Sequence, residues 1–277
     1  MDLVIRRARR SDKRGVLAAV RTVWGGDDYI PGVFDSWVTH RTGPFFVAES
    51  AGRVVGMGKL TVVSPTEAWL EGGRVAPRWR RKGIATALIA HRIAYARERR
   101  LRVVRFSTAA DNTPIHRAAK TFGFARVATL ARLEAPATAG SPPRRAVRAQ
   151  ARAVVRRVGP LVQRGHGWEW REITANDVSG AIARGRVFVS DDGVGAAAVL
   201  GDRYETSLMV VAIGGRLRAL ADLLLRLRSE AKRRGLDDVS FYAANAAERG
   251  AARSAGYRRP WSGEAYVFEK RFRLRSA

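Results

Sequence analysis

The sequence predicts an α/β (α+β) fold in which one pattern of strands and helices is used twice. Three observations carry this. Short runs of β-branched and aromatic residues alternate with longer runs whose apolar residues recur at helical spacing. In both halves five residues separate a strand residue from a turn glycine, Val47 to Gly52 and Phe188 to Gly193. In both, an asparagine stands 11 residues before a glycine followed by an aromatic, Asn112 before Gly123-Phe124 and Asn245 before Gly256-Tyr257. A register shared across several elements marks a duplicated unit.

The elements follow in order. Leu3-Val4-Ile5 reads as a short strand. Ser11-Asp12 supplies capping residues ahead of Val16, Leu17, Val20 and Trp24, which fall at helical spacing. Gly25 to Gly32 reads as a break, and a short second helix follows through Phe34, Trp37 and Val38. Phe45 to Glu49, a turn at Ser50-Ala51-Gly52 and Val54 to Met57 form a hairpin signature. Ala68 to Val75 predicts another strand. A helix from Gly83 to Arg99 places Ile84, Leu88, Ile89 and Ile93 on one face. Val103 to Ser107 predicts a strand, and a helix from Pro114 ends at Gly123 as its C-cap.

Ala137 to Pro143 has the composition of a linker. From Arg144 to Val158, valines at helical spacing and arginines on another face predict a basic helix that packs its apolar side and solvates the rest. The pattern then repeats. Trp168 to Ile173 stands for the opening strand, Val187 to Gly195 for the hairpin and Leu208 to Ile213 for the later strand. Leu217 to Arg234 stands for the helix and Val239 to Tyr242 for the strand after it. The boundaries that follow are 1–136 for the first copy, 137–165 for a linker with a basic helix, and 166–277 for the second copy.

Composition narrows the chemistry. Hydrophobic residues make up 46% of 277, enough for packed cores. There is no apolar run near the ~18 residues a spanning helix needs, and no apolar signal segment at the N-terminus. A cytoplasmic protein without a membrane partner is expected. Cysteine is absent, which excludes disulfides, thiolate nucleophiles and cysteine-ligated zinc; no metal is expected. The net charge is +26, and only six of the 51 basic residues are lysine. The arginines are spread along the chain, as compositional bias would spread them. A polyanionic partner such as nucleic acid is the other reading, and either way the field favours a phosphate-bearing ligand.

The motif that carries chemistry is Arg80-Arg81-Lys82-Gly83-Ile84-Ala85, between a predicted strand and a predicted helix. A helix N-terminus offers unpaired N–H groups and partial positive charge. Gly83 permits close backbone approach to a phosphate, and Ala85 keeps the first turn clear, so the turn suits a pyrophosphate. With Val54-Val55-Gly56, Arg74 through Ile89 and Asn112 through Phe124, the first half resembles the GNAT superfamily of N-acetyltransferases over about residues 3–135. Gly26 to Pro31 with Trp37, and Leu70 to Val75, are similar to a branch that includes histidine N-acetyltransferase-like enzymes. The second half resembles a degenerate GNAT domain. Its phosphate loop is cut to Gly214-Gly215-Arg216, and it lacks a counterpart of Trp24 to Trp37.

The resemblance implies a mixed, mostly antiparallel sheet flanked by helices and wedged open between two strands, with acetyl-CoA as co-substrate in the cleft. It implies that Arg80, Arg81, Lys82, Gly83, Ile84, Ala85 and Thr86 hold the pyrophosphate. The Val75 backbone would pair with the pantetheine arm and stabilise the thioester oxyanion, and Asn112 would line the site. It implies direct attack by a primary amine, of a small molecule or amino acid, within a ternary complex. Acetylation of a protein N-terminus or lysine is the second enzyme reading. A non-catalytic, nucleic-acid-associated protein on the same fold is the third. The intact loop weighs against it, because the second copy shows what relaxed selection on that loop looks like.

An amine must lose a proton before attack. Glu71 lies four residues before Val75, which on a regular strand puts both on one face, so Glu71 is the candidate base. Glu67, on that face too if the strand extends so far, is the next, and pairing with an arginine is the structural alternative for either. Where many family members carry a tyrosine acid, this chain has Ala119; His116 is the nearby candidate, with a half-buried structural histidine and a proton taken from solvent as the alternatives, so the acid is left open. Asp27, Asp28, Tyr29 and Trp37 are the candidate acceptor site, with the aspartates drawing an ammonium and the rings forming a wall. The structural alternative is that the rings are core and the aspartates cap a helix.

Overall fold

The computed structural model describes residues 2–272 apart from 42, 165–167, 194 and 203. The Trp24 side chain, Gly165 at the end of the expected linker and Val194 in the second hairpin lie outside the described residues. In chain order the elements are β1 (Val4–Arg7), α1 (Lys13–Val20), α2 (Ile30–Thr39), β2 (Phe45–Ser50), β3 (Arg53–Ser64), β4 (Glu67–Val75), α3 (Ile84–Glu98), β5 (Val103–Ala109), α4 (Thr113–Thr121), β6 (Ala125–Pro136), β7 (Arg144–Arg145), α5 (Ala151–Arg157), β8 (Leu161–Arg164), β9 (Glu169–Glu172), α6 (Ala175–Ala183), β10 (Val187–Val189), β11 (Ala196–Leu200), β12 (Ser207–Gly215), α7 (Leu217–Arg233), β13 (Asp238–Ala243), α8 (Ala246–Ser254) and β14 (Ala265–Arg271). Among the described residues no helix is long and apolar enough to cross a membrane.

The chain forms two compact units that do not follow the linear halves. Unit 1 comprises Met1–Phe106, Pro114–Ala125 and Phe268–Ala277; unit 2 comprises Ser107–Thr113 and Arg126–Val267. The edge at residue 136 expected from sequence therefore differs from the packing. β6, the last strand before the linker, pairs antiparallel with β13 from Asp238↔Pro136 to Ala243↔Ala131 and lies in unit 2. The end of β14, the last strand of the chain, lies in unit 1, where β14 neighbours β5.

Unit 1 has the strand order β1-β2-β3-β4-β5-β14. The β2–β3 hairpin turns through Ala51 (φ 48°) and Gly52 (φ 71°), the two left-handed residues that a tight hairpin turn requires. Apolar residues of α1 and α2, among them Val16, Val20, Ile30 and Phe34, pack with Phe45, Val47 and Met57 on one face. Ile84 and Leu88 of α3 pack with Phe46, Ala48 and Val55 in a separate cluster. The expected break at 25–32 is shorter than its composition suggests. Pro31 lies in the first turn of α2, where its missing N–H costs nothing, so it starts the helix.

Unit 2 has the order β7-β10-β11-β12-β13-β6, with β8 and β9 paired apart from it. The basic helix expected over Arg144–Val158 is confined to Ala151–Arg157. Arg144 and Arg145 instead pair with Val189 and Phe188 of β10, and Gln150 accepts from the Val147 N–H (3.0 Å), which holds that residue extended. Val154 and Val158 are buried as expected and join Val178, Val187 and Val199 in one core, with Val155 partly buried against it; Val147, ahead of the shortened helix, is exposed instead. Leu220, Leu223, Leu224 and Leu227 of α7 fill another with Phe241 and Tyr257.

Candidate active site

β4 and β5 are parallel neighbours, but they pair only from Glu67↔Val103 to Trp69↔Arg105. From Leu70 to Val75 the edge of β4 toward β5 makes no ladder. The register with β3 shows which backbone groups face that edge. Gly56 lies opposite Val75, and the Ala76 N–H donates to the Val55 carbonyl (2.9 Å). Val75 is therefore the non-hydrogen-bonded member of its antiparallel pair, and its own N–H and C=O point away from β3. Arg80 Nε approaches that carbonyl at 3.4 Å.

Beyond Val75 the chain makes a short 3-10 turn (Pro77–Trp79) and then the loop into α3. Arg81 (φ 62°) and Gly83 (φ 79°) are both left-handed, which turns successive N–H groups toward one concavity. The first bond of α3 is Ala87 N–H to Gly83 O (2.9 Å). Among the described residues the N–H groups of 81 through 86 have no backbone partner, and all of these residues except Ile84 are exposed. A Cβ on Gly83 would meet nothing within 4 Å, so glycine is needed here for its backbone angle and not to make room within the protein. Lys82 Nζ sits over the Trp79 ring at 4.9 Å.

Glu71 and Val75 do not share a face, contrary to the four-residue spacing. Glu71 pairs with Lys59 and Val75 with Gly56, and positions three apart on β3 face opposite sides. The cause is a bulge at Gly72-Gly73, where Gly72 has φ 63° and an added Cβ would lie 2.5 Å from the Trp37 ring. Glu71 is half-buried on the side of α1 and α2, and Thr61 Oγ1 donates to its carboxylate. Glu67 shares its face but is committed elsewhere: it is 4% exposed and bonds Arg105 (2.8 Å).

The acceptor candidates separate. Tyr29 and Trp37 pack edge to face at 5.9 Å, and Trp37 lies on the Gly72 bulge. Although 45% of Tyr29 is exposed, the surroundings of its hydroxyl push the phenol pKa up. Burial is the main cause, the Arg74 guanidinium opposes it, and Glu71 and Asp28 add to it. Asp27 is exposed. Asp28 departs from the expectation that it draws an ammonium. Its side chain is 1% exposed, it accepts from the Ile30 N–H at the start of α2 (3.0 Å), and it bonds Arg74 Nε (2.7 Å). Its charge is spent on the helix terminus and the guanidinium.

Three neighbours of Glu71 escape a reading by sequence pattern. Lys59 is 2% exposed; its Nζ lies 3.0 Å from His40 Nδ1, donates to the Gly43 carbonyl (3.2 Å) and stands 5.8 Å from the Trp37 ring. Arg92 is 4% exposed and donates to the carbonyls of Leu88 (3.1 Å), Lys59 (3.2 Å) and Glu71 (3.3 Å), clasping the bulge. Burial pulls its pKa down to about 10, and Glu71 and Tyr29 resist that fall. Thr61 is the third. The available signal was a charge at a core position, since Arg92 continues the Ile84, Leu88 stripe of α3.

His116 stands on α4 with its ring 5.5 Å from Phe268. Asn112 lies in unit 2, where it donates to Thr108 Oγ1 (2.8 Å). The region of unit 2 that corresponds to the loop has lost it. β12 runs to Gly215, α7 begins at Leu217, and Arg216 alone connects them. The chain at Arg157 also presses on β12, so close that a Cβ on Gly214 would lie 2.2 Å from the Arg157 carbonyl.

Known proteins agree with this geometry. Residues 14–124 match the model of the acetyltransferase (GNAT) family. The histidine N-acetyltransferase of Scomber australasicus is 32% identical over 83 residues, 30% of this chain and 25% of that one. That of Xenopus tropicalis is 35% identical over 74 residues, 26% and 23% of the two chains. The match thus spans about a quarter of these relatives. The crystal structure of a GCN5-related N-acetyltransferase from Sphaerobacter thermophilus has the same fold over 97% of this chain and 95% of its own, with a TM-score of 0.65 at 17% identity. Over residues 14–124 the chain is thus similar to the acetyltransferase (GNAT) family, and its fold is that of a GCN5-related N-acetyltransferase.

Proposed function

We propose that the chain transfers the acetyl group of acetyl-CoA to the primary amine of a small molecule or amino acid. The observation that carries this reading is the open edge of β4, where the Val75 backbone groups face the gap and the unpaired N–H groups of 81–86 follow in the chain. The residues present fit the co-substrate that this family uses. Backbone donors at the positive end of α3, beside Arg80, Arg81 and Lys82, answer two phosphate charges. The Val75 N–H and C=O match an amide-bearing arm, and that N–H is a donor for a developing oxyanion. Bound acetyl-CoA supplies the thioester.

Glu71 takes a proton from the acceptor ammonium. The freed amine then forms the N–C bond as the C–S bond opens; its nitrogen releases a second proton to become the amide and the departing sulfur takes one up, with His116 as the proposed donor to sulfur. Thr61 holds the Glu71 carboxylate, and Arg92 holds the Glu71 backbone at the bulge. Tyr29, Trp37 and exposed Asp27 form the proposed acceptor wall on the Glu71 face. Unit 2, with its loop reduced to Arg216, is proposed to bind no acetyl-CoA.

The test is CoA release across free amino acids including histidine, polyamines and peptides. Turnover with a free amino acid or polyamine is expected. Glu71→Gln should lower kcat by ~10²–10⁴-fold with acetyl-CoA affinity unchanged. Turnover confined to peptides would establish the protein-acetylating reading instead, and a loss below about threefold would make Glu71 structural. Unchanged kcat in His116→Ala removes that residue from the scheme.

A further inference from the structure

A groove of about 800 Å³ runs between α1, the β2–β3 turn and residues 76–79 of unit 1. Its walls carry Arg14, Arg21, Arg53 and Arg78, all exposed and with no carboxylate partner among the described residues. The one carboxylate in the lining, Asp12, is already neutralised. It accepts from both Nη atoms of Arg6 (2.8 Å each) and from the Arg9 N–H (2.7 Å), and the Arg6 bond foremost holds its pKa down. The groove therefore presents four uncompensated guanidinium charges to solvent. Its floor is different in kind: Gly15, Ala18, Val54 and Pro77 are small and aliphatic.

The groove shares no lining residue with the proposed acetyl-CoA edge, although residues 76–79 lead from Val75 into the loop at 80–86. β3 pairs with one edge of β4, and the gap toward β5 is on the other. The groove lies on the β3 side, at Arg53-Val54. The acceptor wall at Tyr29, Trp37 and Glu71 supplies none of its lining.

We propose that this groove docks an acidic polypeptide segment that interleaves carboxylates with aliphatic side chains. The carboxylates would answer the arginine rim, whose planar forks suit them, and the aliphatic groups would cover the floor. The same charges would attract a nucleic acid strand. Binding of single strands, however, relies on exposed rings on which bases stack. The lining offers one ring, Trp79, and Lys82 already covers it. The inference is independent of the acceptor assigned above.

The experiment is fluorescence anisotropy with a labelled peptide of alternating Glu and Leu, at saturating acetyl-CoA. The same peptide with Lys for Glu and a single-stranded oligonucleotide serve as comparisons. The Glu–Leu peptide should bind the intact chain. Arg14→Ala with Arg53→Ala and Arg78→Ala should weaken it about tenfold, the sum of three partly exposed charge contacts. Arg148→Ala with Arg152→Ala and Arg156→Ala, three exposed arginines of unit 2, should weaken it less than about twofold. Ala18→Trp, at an exposed helix position, should weaken it at least as much as the first triple without changing charge, and it decides the matter if that triple fails to fold. Equal losses in the two triples, no effect of Ala18→Trp, or displacement by acetyl-CoA each overturn the proposal. So does tighter oligonucleotide binding that depends on the same arginines.

Discussion

Arg105 of β5 offers the sharpest perturbation. Its Nη1 bonds Glu67 (2.8 Å) and its Nε and Nη2 bond Glu269 of β14 (2.7 and 2.6 Å). The guanidinium is 1% exposed, and the two carboxylates are 5% and 11% exposed. Arg105→Met keeps the bulk of the side chain but takes from Glu67 and Glu269 the buried cation they share; Glu269 keeps the exposed Arg271 on its other oxygen (2.6 Å). Removing one partner of a buried ion pair costs about 3–5 kcal/mol, a large part of the ~5–15 kcal/mol that holds a domain folded. At roughly 2–4 °C per kcal/mol, Tm should fall by about 6–20 °C. Glu67→Gln and Glu269→Gln added to Arg105→Met should recover most of it, since no buried carboxylate is then left, and Arg271, which loses Glu269, is exposed to solvent. Thermal denaturation followed by circular dichroism reads all of this. A single variant within 2 °C of the parent, or a triple variant no better than the single, would refute the argument. The same triad predicts that a chain ending at residue 264 loses acetyl-CoA binding although the whole GNAT match remains; retention would show that unit 1 does not need β14.

Other outcomes follow from the site and from unit 2. Gly83→Asp places a carboxylate and a strained backbone angle at the proposed phosphate turn; calorimetry should show acetyl-CoA binding weakened by more than tenfold, or over ~1.4 kcal/mol, with one site per chain in the parent. Asp27→Asn should raise the acceptor KM about fivefold at an unchanged acetyl-CoA KM. Asp28→Asn, which weakens the Arg74 contact and the start of α2, should lower Tm by a few degrees, at about 1–2 kcal/mol; the reverse pattern would exchange the two roles. In unit 2 burial would raise the pKa of Asp177, but bonds from Arg171 and Thr174 outweigh it and hold the pKa at about 2, against 3.8 ordinarily. A carboxylate depressed on folding adds stability above its unfolded pKa. After solvent screening of this partly exposed group, about 1 kcal/mol should therefore be present above pH ~4 and lost as pH falls toward 2, and Asp177→Asn should flatten that limb of the denaturation profile.

Much was legible in the sequence because it is local. Helical spacing located α1, α3 and α7, the Ala51-Gly52 turn located the first hairpin, and Gly83 located the left-handed turn into α3. The repeated register anticipated a second strand–helix–strand–helix run, β12-α7-β13-α8, and Gly214-Gly215-Arg216 anticipated the short connection from β12 to α7. These features depend on neighbours within a few residues, which is the range over which backbone angle and periodicity act.

What joins distant segments was decided only in three dimensions. Whether β6 completes its own half or joins β13 depends on pairing across about a hundred residues, and one alternating strand reads like another. The side of the sheet that Glu71 faces depends on the bulge at Gly72, and Trp37, from another helix, fills the space a Cβ would take there. The sequence left Asp28 either to draw an ammonium or to cap a helix, and its bonds to the Ile30 N–H and to Arg74 favour the second. In each case the residue's chemistry was written in the chain. Its partner was not, because sheet pairing and side-chain packing select partners by distance in space, which local periodicity does not encode.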